Sequence, residues 1–408
     1  MFGLLDNILK HLIKKGQLEV VFPDYKRRIY GDFSSKDKAG FQLLTHKICF
    51  RLIVNPGLAF GEGYMSGEIK TIDCSIYEVL KVFLQNDLQH DHIGEKFASL
   101  IRFGKRSWSQ LNRVHQARKN VAHHYDLKNS LYQLFLGQDK QYSCAYFNRD
   151  TQSLDEAQEA KKRHIASKLY LNKTELTILD IGCGWGGMAL YLAKNFDARV
   201  TGITLSKEQL QVAQERAVAE GLQDKVHFEL QDYRLINSKY DRIVSVGMFE
   251  HVGVRFYNEF FRDIKKLLKE DGVMLLHSIG RSDGPGSTNA WINKYIFPGG
   301  YSPALSEVFP AIEKSGLYVT DCEILRLHYA KTLQLWREAI EKQKDKIIKM
   351  YDERFYRMFE FYLSGCELTF YYQNCINFQI QLSSKLDILP ITRDYMYQAE
   401  HDFSSQLR

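Results

Sequence analysis

A glycine-rich loop near the middle of the chain combines residue types that can bind a nucleotide. In LDIGCGWGGMAL, residues 179–190, Asp180 is followed by Gly182, Gly184 and Gly187 in the spacing G-x-G-x-x-G. A strand-like run precedes the glycines and a helical run follows them, as a dinucleotide-binding loop requires. Glycine has no side chain, so the backbone at these positions can approach a ligand closely. The loop therefore predicts a nucleotide site, but alone it does not say which nucleotide.

The ends of the next two strands indicate which nucleotide binds. A site for NAD needs an acidic residue at the end of the second strand, where it binds a ribose. Here that strand ends in GITLS, which offers Thr204 and Ser206, with Gln209 one turn into the following helix. The third strand ends in QDY, where Asp232 can accept from an adenine amino group and Tyr233 can lie beside the ring. Three successive strand ends therefore favour an adenosyl ligand over NAD.

The loop belongs to a longer alternation of strands and helices that must position it. From about residue 176 the chain reads as strand, helix, strand, helix, in TILDIG, GMALYLAKNF, ARVTGIT and KEQLQVAQERAVAEG, and further apolar strands follow. Continuous apolar strands between helices predict a parallel sheet covered on both faces. FQIQLS, near residue 378, is predicted to return as a late antiparallel strand. The expected fold class is α/β, with a Rossmann-like mixed sheet and helices on both faces.

Composition divides the 408 residues into three parts. Residues 1–100 mix short strand-like and helical runs, which predicts a small α+β domain. Residues 101–120 contain six Arg or Lys and no acidic residue, which predicts a basic linker. Residues 121–408 are predicted to form the catalytic domain, and two domains are the expected number for this length.

Charge and cysteine content give weaker indications. The net charge of +6 is modest, and we expect no nucleic-acid partner. The seven cysteines are scattered, odd in number and without metal-ligand spacing, so we expect a reduced, cytoplasmic protein with no metal site. The sequence contains no run of about 18 apolar residues, so no membrane span is predicted. The N-terminus lacks the pattern of a secretory signal.

The first residues form an amphipathic helical pattern with two interpretations. In MFGLLDNILKHLIKKG the apolar residues Phe2, Leu5, Ile8, Leu9, Leu12 and Ile13 share one helical face, and three lysines lie away from it. Such a helix can lie in a membrane interface. It can equally dock its apolar face on its own domain, and the sequence leaves both open. The basic linker could add contacts to phosphate head groups.

Several segments together resemble one group of methyltransferases. Asp180, Gly182, Gly184 and Gly186 form D-x-G-x-G-x-G, which resembles the first motif of class I S-adenosylmethionine methyltransferases. Other segments, in chain order, are HHYDLKNSLYQLFLG, QYSCAYF, VSVGMFEHVG, LLHSIG, WINKYIFPGGYSP, LHYAKTLQLWRE and YDERFYRMFEFYLSGCELTF. These resemble the cyclopropane-fatty-acyl-phospholipid synthases, which are related to the mycolic acid cyclopropane synthases. The resemblance is dense from about residue 120 onward and weaker in the N-terminal part.

The resemblance implies a reaction at a carbon–carbon double bond. These enzymes add the methyl carbon of S-adenosylmethionine as a methylene bridge across a cis double bond of a phospholipid acyl chain, and a bound bicarbonate serves as base. The N-terminal domain would bind lipid, the enzyme would work as a peripheral protein on the inner face of the cytoplasmic membrane, and a homodimer is expected. An alkene carries no proton to lose first, so the site needs a base for the later proton, an aromatic wall and exclusion of water.

The resemblance also assigns the residues around the base. It implies that Glu250, His277 and Tyr329 hold the bicarbonate, together with the backbone amides of Cys144 and Ile279. A carboxylate beside an anion is unfavourable unless a proton is shared, so Glu250 is expected to have a raised pKa. His277 is expected to relay protons. The neighbouring histidines 251 and 328 are interpreted as supporting residues.

The cofactor contacts are implied in the same way. Residues 142–143 are expected to contact the methionine part, the glycines to form the loop, residues 204–209 to hold the ribose and residues 232–233 to meet the adenine. The full predicted set is Tyr142, Ser143, Asp180, Gly182, Gly184, Thr204, Leu205, Gln209, Asp232 and Tyr233. His124, Tyr125 and Asp126 are expected to close the site over the cofactor.

One family position is doubtful, and alternative functions remain open. Cys366 matches a cysteine taken in this family as a nucleophile, but nothing in its aromatic surroundings predicts a low pKa, and packing is the favoured interpretation. A related enzyme could make methyl-branched or hydroxylated acyl chains, or methylate a small-molecule amine. A lipid-binding protein with a decayed cofactor site is a further alternative, which the intact glycine loop disfavours.

Overall fold

The computed structural model describes residues 2–86 and 129–406. The N-terminal elements are α1 (Phe2–Leu12), β1 (Gln17–Val21), β2 (Arg27–Gly31), β3 (Lys38–Leu43), α2 (His46–Val54), α3 (Pro56–Ser66), β4 (Ile69–Thr71) and α4 (Ile76–Leu84). The predicted linker of residues 101–120 and the segment His124–Asp126 lie outside the described residues.

The elements after residue 129 alternate as the sequence predicts. They are α5 (Asn129–Tyr132), α6 (Leu154–Lys168), β5 (Thr177–Ile181), α7 (Gly187–Phe196), β6 (Arg199–Thr204), α8 (Lys207–Ala219), β7 (Val226–Leu230), β8 (Tyr240–Val246), α9 (Tyr257–Leu267), β9 (Leu268–Arg281), α10 (Ala290–Tyr295), α11 (Leu305–Glu313), β10 (Tyr318–Ile324), α12 (His328–Lys342), α13 (Lys344–Met350), α14 (Glu353–Tyr372), β11 (Cys375–Ser383) and α15 (Asp394–Gln406).

The described residues form two compact units. The first contains residues 2–86 with the later segments 287–298 and 330–374, and the second contains residues 129–286, 299–329 and 375–406. Two segments of the predicted catalytic domain therefore group with the N-terminal residues. The sequence boundaries at 100 and 120 stay a prediction about function, and the compact units cut across them.

The first unit is built on a four-stranded sheet of order β2-β1-β3-β4. Strands β1 and β3 are parallel, and the outer strands are antiparallel to them. Helix α4 begins with a capping box, in which Ser75 and Glu78 satisfy each other's backbone amides. Leu368 of α14 belongs to the core of this unit, and Phe361 packs against that core. This packing explains why the aromatic α14 groups with the N-terminal elements.

Helix α1 uses its apolar face to build this core. Leu5, Leu9 and Ile13 are each at most 5% exposed and pack with Leu18 and Val20 of the sheet. The prediction of an amphipathic helix is confirmed, and of its two interpretations the structure shows the docked one. The apolar face is therefore not available to a membrane interface.

The second unit contains a seven-stranded mixed sheet of order β10-β11-β9-β8-β5-β6-β7. Strands β5 to β9 are parallel, whereas β10 and β11 are antiparallel to their neighbours. Alternate side chains of the apolar strands serve two cores: Leu179 and Ile181 lie in one, and Ile178 lies in the other. Helices cover both faces, so the predicted α/β class and the late antiparallel strand are confirmed.

The order of the sheet also positions a ligand site. The chain runs outward from β5 through β6 and β7, then returns to place β8 on the other side of β5. Open α/β sheets bind ligands at the carboxyl ends of the strands where the order reverses in this way. The glycine loop after β5 and the residues after β8 therefore meet at this edge.

Candidate active site

A pocket of about 150 Å³ lies at the carboxyl ends of β5, β6, β7 and β8. It is lined by every residue predicted to contact the cofactor, namely Tyr142, Ser143, Asp180, Gly182, Gly184, Thr204, Leu205, Gln209, Asp232 and Tyr233. These residues come from segments spread between positions 142 and 233, and the topology of the sheet brings them together. The structure thus places the predicted set in one cavity, while the role of each residue stays a prediction.

The glycine loop forms one wall of this pocket. Gly182 has a φ of +81°, and a Cβ atom there would lie 2.8 Å from the Cβ of Met248. Gly184 has a φ of +55°, but a Cβ there would meet nothing within 4 Å. Residues that carry a Cβ atom rarely adopt a positive φ, so both positions favour glycine. Only Gly182 is also required by packing, whereas Gly184 faces open space.

Two buried groups of opposite charge lie beneath the pocket. Asp180 is buried in β5, its Oδ2 has no hydrogen-bond partner among the described residues, and burial raises its pKa to about 7. Lys161 of α6 is fully buried, and its Nζ donates to Ser143 Oγ (2.8 Å) and Gln141 Oε1 (2.6 Å). Burial lowers the pKa of Lys161 to about 7, against the attraction of Asp139. Both groups can change charge near neutral pH.

The ribose and adenine candidates are already organised by their own hydrogen bonds. Thr204 Oγ1 donates to Gln209 Oε1 over 2.9 Å. Asp232 accepts from Arg234 at both carboxylate oxygens, from Nε over 2.8 Å and from Nη2 over 2.7 Å. Arg234 therefore fixes the orientation of the Asp232 carboxylate. A carboxylate accepts about four hydrogen bonds, so this pair leaves room for a ligand.

Glu250 lies in a short 3₁₀ turn (Phe249–His251) directly after β8. Its Oε1 accepts from the backbone amide of Ile279 over 2.7 Å, and its Oε2 has no partner among the described residues. Burial raises the pKa of Glu250 to about 7, and the bond from Ile279 opposes that rise. The predicted raised pKa agrees with this geometry. The Ile279 amide, predicted to face a bicarbonate, is engaged by Glu250 instead.

His277 lies in β9, opposite Gln379 of β11 and in register with Val246 of β8. It is buried, its Nδ1 is 3.1 Å from Gln379 Nε2, and its Nε2 has no partner among the described residues. Burial, reinforced by the positive charges of Lys161 and Lys168, lowers the pKa of His277 well below its usual value. This shift favours the neutral imidazole of His277, and the predicted proton relay stays a prediction.

The remaining catalytic candidates occupy different surroundings. Cys144 is fully buried and its Sγ donates to the carbonyl oxygen of Ala145 over 3.3 Å. Tyr329 is buried at the second position of α12. Cys366 lies in α14, which belongs to the first unit, whereas every residue of the pocket belongs to the second. The catalytic roles of all three stay predictions.

The two histidines interpreted as supporting residues have different surroundings, and their roles stay predictions. His251 lines the pocket, and burial lowers its pKa to about 4. His328 accepts at Nδ1 from the amide of Phe147 over 2.9 Å and stacks on Tyr146 at 4.7 Å. Neither shift favours a protonated imidazole, because burial disfavours the charged form in both.

Several functional residues were not predicted from the sequence. Lys161 is the one that the sequence could have revealed. The helical period of α6 places positions 157, 161, 164 and 168 on one buried face. A lysine in phase with that face is expected to be buried and therefore paired. Lys161 contacts the lining residue Ser143, and the unpredicted residues that line the pocket themselves include Lys140, Gln141, Trp185, Met188, Gln231, Arg234, Met248 and Val252.

Neither a metal site nor a membrane-spanning helix is found among the described residues. Within residues 2–86 and 129–406, no group of three or more His, Cys, Asp or Glu is placed to hold a metal ion. No helix in the same two ranges has both the length and the apolar character needed to cross a membrane.

Comparison with known proteins now adds to this geometry. Residues 112–380 match the family described as mycolic acid cyclopropane synthetase, and residues 4–92 match a domain of unknown function. The chain is 40% identical over 318 residues to the cyclopropane-fatty-acyl-phospholipid synthase of Escherichia coli (strain K12), covering 78% of this chain and 80% of that protein. It is 38% identical over 264 residues to cyclopropane mycolic acid synthase 3 of Mycobacterium tuberculosis, covering 62% of this chain and 92% of that protein.

A solved structure agrees with both sequence matches. The mycolic acid cyclopropane synthase CmaA1 complexed with SAH and CTAB is similar to this chain with a TM-score of 0.62 and 35% identity. The match covers 65% of this chain and 98% of that one. The fold is therefore shared with a protein that was crystallised with SAH.

Proposed function

The chain belongs to the mycolic acid cyclopropane synthetase family and is an S-adenosylmethionine-dependent methyltransferase, and from this premise we propose its reaction and substrate. It transfers a methylene group from S-adenosylmethionine to a cis double bond of a phospholipid acyl chain, with bicarbonate as base. One observation carries this proposal: a single pocket gathers three strand ends suited to an adenosyl ligand, and Glu250 follows the strand that completes it.

The cofactor would be held by groups that are already in place. Thr204 and Gln209 offer hydroxyl and amide groups to a ribose, and the fixed Asp232 offers an acceptor to an adenine amino group. Asp180 would face the positively charged methionyl part, because it lines the pocket and its Oδ2 has no partner among the described residues. When bound, the sulfonium supplies the electrophilic methyl group.

Aromatic rings stand beside the same pocket. Tyr132 packs against Trp185 at 5.0 Å and against Tyr142 at 5.6 Å, and the latter two line the cavity. Each aromatic face can stabilise a nearby cation by about 0.5–2 kcal/mol. We propose that this wall stabilises positive charge during the reaction and keeps out water, which would otherwise trap a cation as an alcohol.

The residues around Glu250 fit a small anion. Glu250 Oε2 and His277 Nε2 are both buried polar atoms with no partner among the described residues. Buried polar groups are normally satisfied, so these two atoms are suited to donate to a bound acceptor. A protonated Glu250 and a neutral Nε2–H of His277 would both donate to an oxyanion. A bicarbonate bound there supplies a base for the proton that leaves the new methyl group.

Substrate access and assembly are proposed on less direct grounds. The E. coli relative is named as a synthase of cyclopropane-fatty-acyl phospholipids. We propose that this chain likewise takes an acyl chain from a phospholipid on the inner face of the cytoplasmic membrane, and works as a homodimer. The apolar face of α1 does not support the membrane contact, because it is buried in the core. The basic residues of the 101–120 segment remain the support for it.

The reaction is tested by product analysis. Anionic phospholipid vesicles with cis-unsaturated chains are incubated with the protein and S-adenosylmethionine, then measured by mass spectrometry and proton NMR. Addition of one CH₂ with loss of the alkene protons and new high-field cyclopropane protons would support the proposal. Addition of CH₂ and two further hydrogens would indicate a methyl-branched product. An unchanged lipid with bound cofactor would reject the lipid substrate in favour of a small-molecule acceptor.

A further inference from the structure

A chain of polar side chains, all buried except the partly exposed Glu323, lies behind His277, on the side away from its unpartnered nitrogen. His277 Nδ1 is 3.1 Å from Gln379 Nε2, and Gln379 Oε1 accepts from Lys168 Nζ over 2.7 Å. Lys168 also forms an ion pair with Glu323, which in turn is 2.8 Å from His164 Nε2. All five residues belong to the second unit. The reaction proposed above does not by itself require any of the last four.

The lysine decides which way the glutamine amide points. An ammonium group only donates hydrogen bonds, so the atom of Gln379 that faces Lys168 must be the carbonyl oxygen Oε1. Reversing the amide would place its NH₂ group against the ammonium, with two donors facing each other. Burial lowers the pKa of Lys168, and its ion pair with the Glu323 carboxylate opposes that shift by favouring the charged form. Gln379 must therefore present its NH₂ group to His277.

The glutamine in turn decides which nitrogen of the imidazole carries the proton. A neutral imidazole has one N–H donor and one acceptor nitrogen. Because Gln379 Nε2 donates to Nδ1, Nδ1 must be the acceptor and the proton must be on Nε2. We propose that Lys168 and Gln379 are positioning residues that fix His277 as its Nε2–H tautomer. The Nε2–H group, which has no partner among the described residues, then donates into the active site.

This inference rests on the proposed function for its consequence and assigns His277 a different task from proton relay. With Nε2 protonated and Nδ1 occupied, the imidazole has no lone pair to accept a proton from the substrate. It serves as a fixed neutral donor to an oxyanion. The wrong tautomer would turn a lone pair toward that anion and repel it.

The tautomer can be measured in the wild-type protein without any substrate. Long-range ¹H–¹⁵N NMR of histidine-labelled protein distinguishes a protonated ring nitrogen from one with a lone pair. The signals of His277 are identified by their loss in His277→Gln. We expect a protonated Nε2 and a lone pair on Nδ1. A proton on Nδ1 in the wild type would overturn the inference, whether or not the protein makes cyclopropanes.

A nearly isosteric variant tests the cause. In Gln379→Glu one carboxylate oxygen still accepts from Lys168, but the other now faces Nδ1 as an acceptor. We expect Nδ1 to gain a proton and kcat for methylene transfer to fall on the order of 10²-fold, as for loss of an oxyanion donor. The affinity for S-adenosylmethionine should be unchanged. An active Gln379→Glu enzyme with Nδ1 protonated would overturn the catalytic consequence.

Gln381→Glu is the matched control, because it introduces a buried carboxylate two residues along the same strand face. Gln381 donates to Tyr395 Oη over 2.7 Å and to the backbone carbonyl of Lys168, not to an imidazole. The tautomer of His277 should be unchanged in this variant. Lys168→Met supplies a second test, since either amide orientation becomes possible and both tautomers should be seen. A single Nε2–H form in Lys168→Met would exclude the lysine as its cause.

Discussion

At the scale of single residues, the active site is a set of ionisable groups whose pKa values are moved by burial. The pKa values of Asp180 and Glu250 are raised to about 7, and the pKa of Lys161 is lowered to about 7. Burial disfavours the charged form of each group, so the pKa values of the acids and of the base all move toward neutral pH. Groups that can change charge at working pH are what proton-transfer chemistry requires. The same shifts cost stability, and that cost can be measured.

Glu250→Gln should stabilise the protein more at pH 8 than at pH 5. The folded pKa of about 7 lies above the usual value of 4.5, so the folded state binds more protons between these values. Stability contributed by protonated Glu250 is full below pH 4.5 and is lost as pH rises to 7. Glutamine avoids this loss, which is at most about 3 kcal/mol, and still accepts from Ile279.

The measurement is thermal unfolding of both proteins at the two pH values. Glu313→Gln, at an exposed position, serves as the matched control for replacing a carboxylate by an amide. An equal effect of Glu250→Gln at pH 5 and pH 8 would mean that the folded carboxyl titrates normally. Activity should fall in Glu250→Gln, since an amide cannot exchange a proton with the bound anion.

Binding of S-adenosylmethionine should release protons at pH 6.5. A cation in the pocket favours the ionised form of Asp180 and the neutral form of Lys161, so both pKa values fall on binding. Titration calorimetry in two buffers of different ionisation enthalpy measures the number of protons released. Asp180→Asn should release fewer protons than the wild type, and Lys161→Met separates the share of the lysine. Equal heats in both buffers would show that neither group senses the ligand.

At the scale of elements, two features of the sequence act through the backbone and through packing. The glycine loop between β5 and α7 has positive φ at Gly182, Gly184 and Gly186, which lets the chain turn tightly below the pocket. Helix α1 contributes a row of apolar side chains to the first unit. The glycines therefore act on ligand affinity, whereas α1 acts on stability.

Gly184→Ala should weaken cofactor binding while the fold is retained. A residue with Cβ at this φ is strained by roughly 1–2 kcal/mol, but its methyl group meets no protein atom within 4 Å and enters the pocket instead. Gly221→Ala is the matched control, because Gly221 has a φ of +66°, open space around it and a position after α8 outside the pocket lining. Both variants should lose similar stability. Equal cofactor affinity in both would refute the assignment of the loop.

Leu9→Ala should destabilise the first unit by about 2–4 kcal/mol, the usual loss when a buried leucine is truncated. Leu9 is 4% exposed, whereas Leu4 on the same helix is 54% exposed. Leu4→Ala should therefore leave stability nearly unchanged. Chemical denaturation of the two variants measures the difference. Similar small effects of both substitutions would indicate that α1 does not dock on the core in solution.

At the scale of the whole molecule, the pocket and the most basic segment belong to different parts of the chain. The second unit contains the sheet and the pocket, and the first contains the N-terminal sheet with the later helical segments. The overall charge of +6 is modest, but residues 101–120 concentrate six cations without an acid. Electrostatic attraction to an anionic lipid surface is therefore expected to depend on this segment rather than on α1.

Neutralising the six cations of residues 101–120 with glutamine should reduce binding to anionic vesicles at least tenfold. Each basic residue near such a surface contributes about 1 kcal/mol. Co-sedimentation with anionic and with zwitterionic vesicles measures the change, and the wild-type affinity should fall as salt is raised. Undiminished binding of the neutralised variant to anionic vesicles would remove the segment from the membrane contact.

The sequence by itself determined the sheet and the three strand ends that line the pocket. Strands buried on both faces read as continuous apolar runs, and parallel strands present their carboxyl ends at one edge. The sequence alone therefore predicts that three features lie close together, namely the glycine loop, a Thr–Gln pair and an Asp–Tyr pair. These features are local, because each depends on the period and the end of one element.

The tertiary structure decided the features that depend on which side of an element meets a neighbour. The apolar face of α1 reads the same whether it meets lipid or a core, and only the packed sheet shows that it meets the core. Lys161 and Gln379 read as ordinary polar residues until their helix and strand are placed behind Ser143 and His277. Desolvation and hydrogen-bond orientation are set by all surrounding atoms at once. No single segment therefore contains the information that moved these pKa values or chose the orientation of the Gln379 amide.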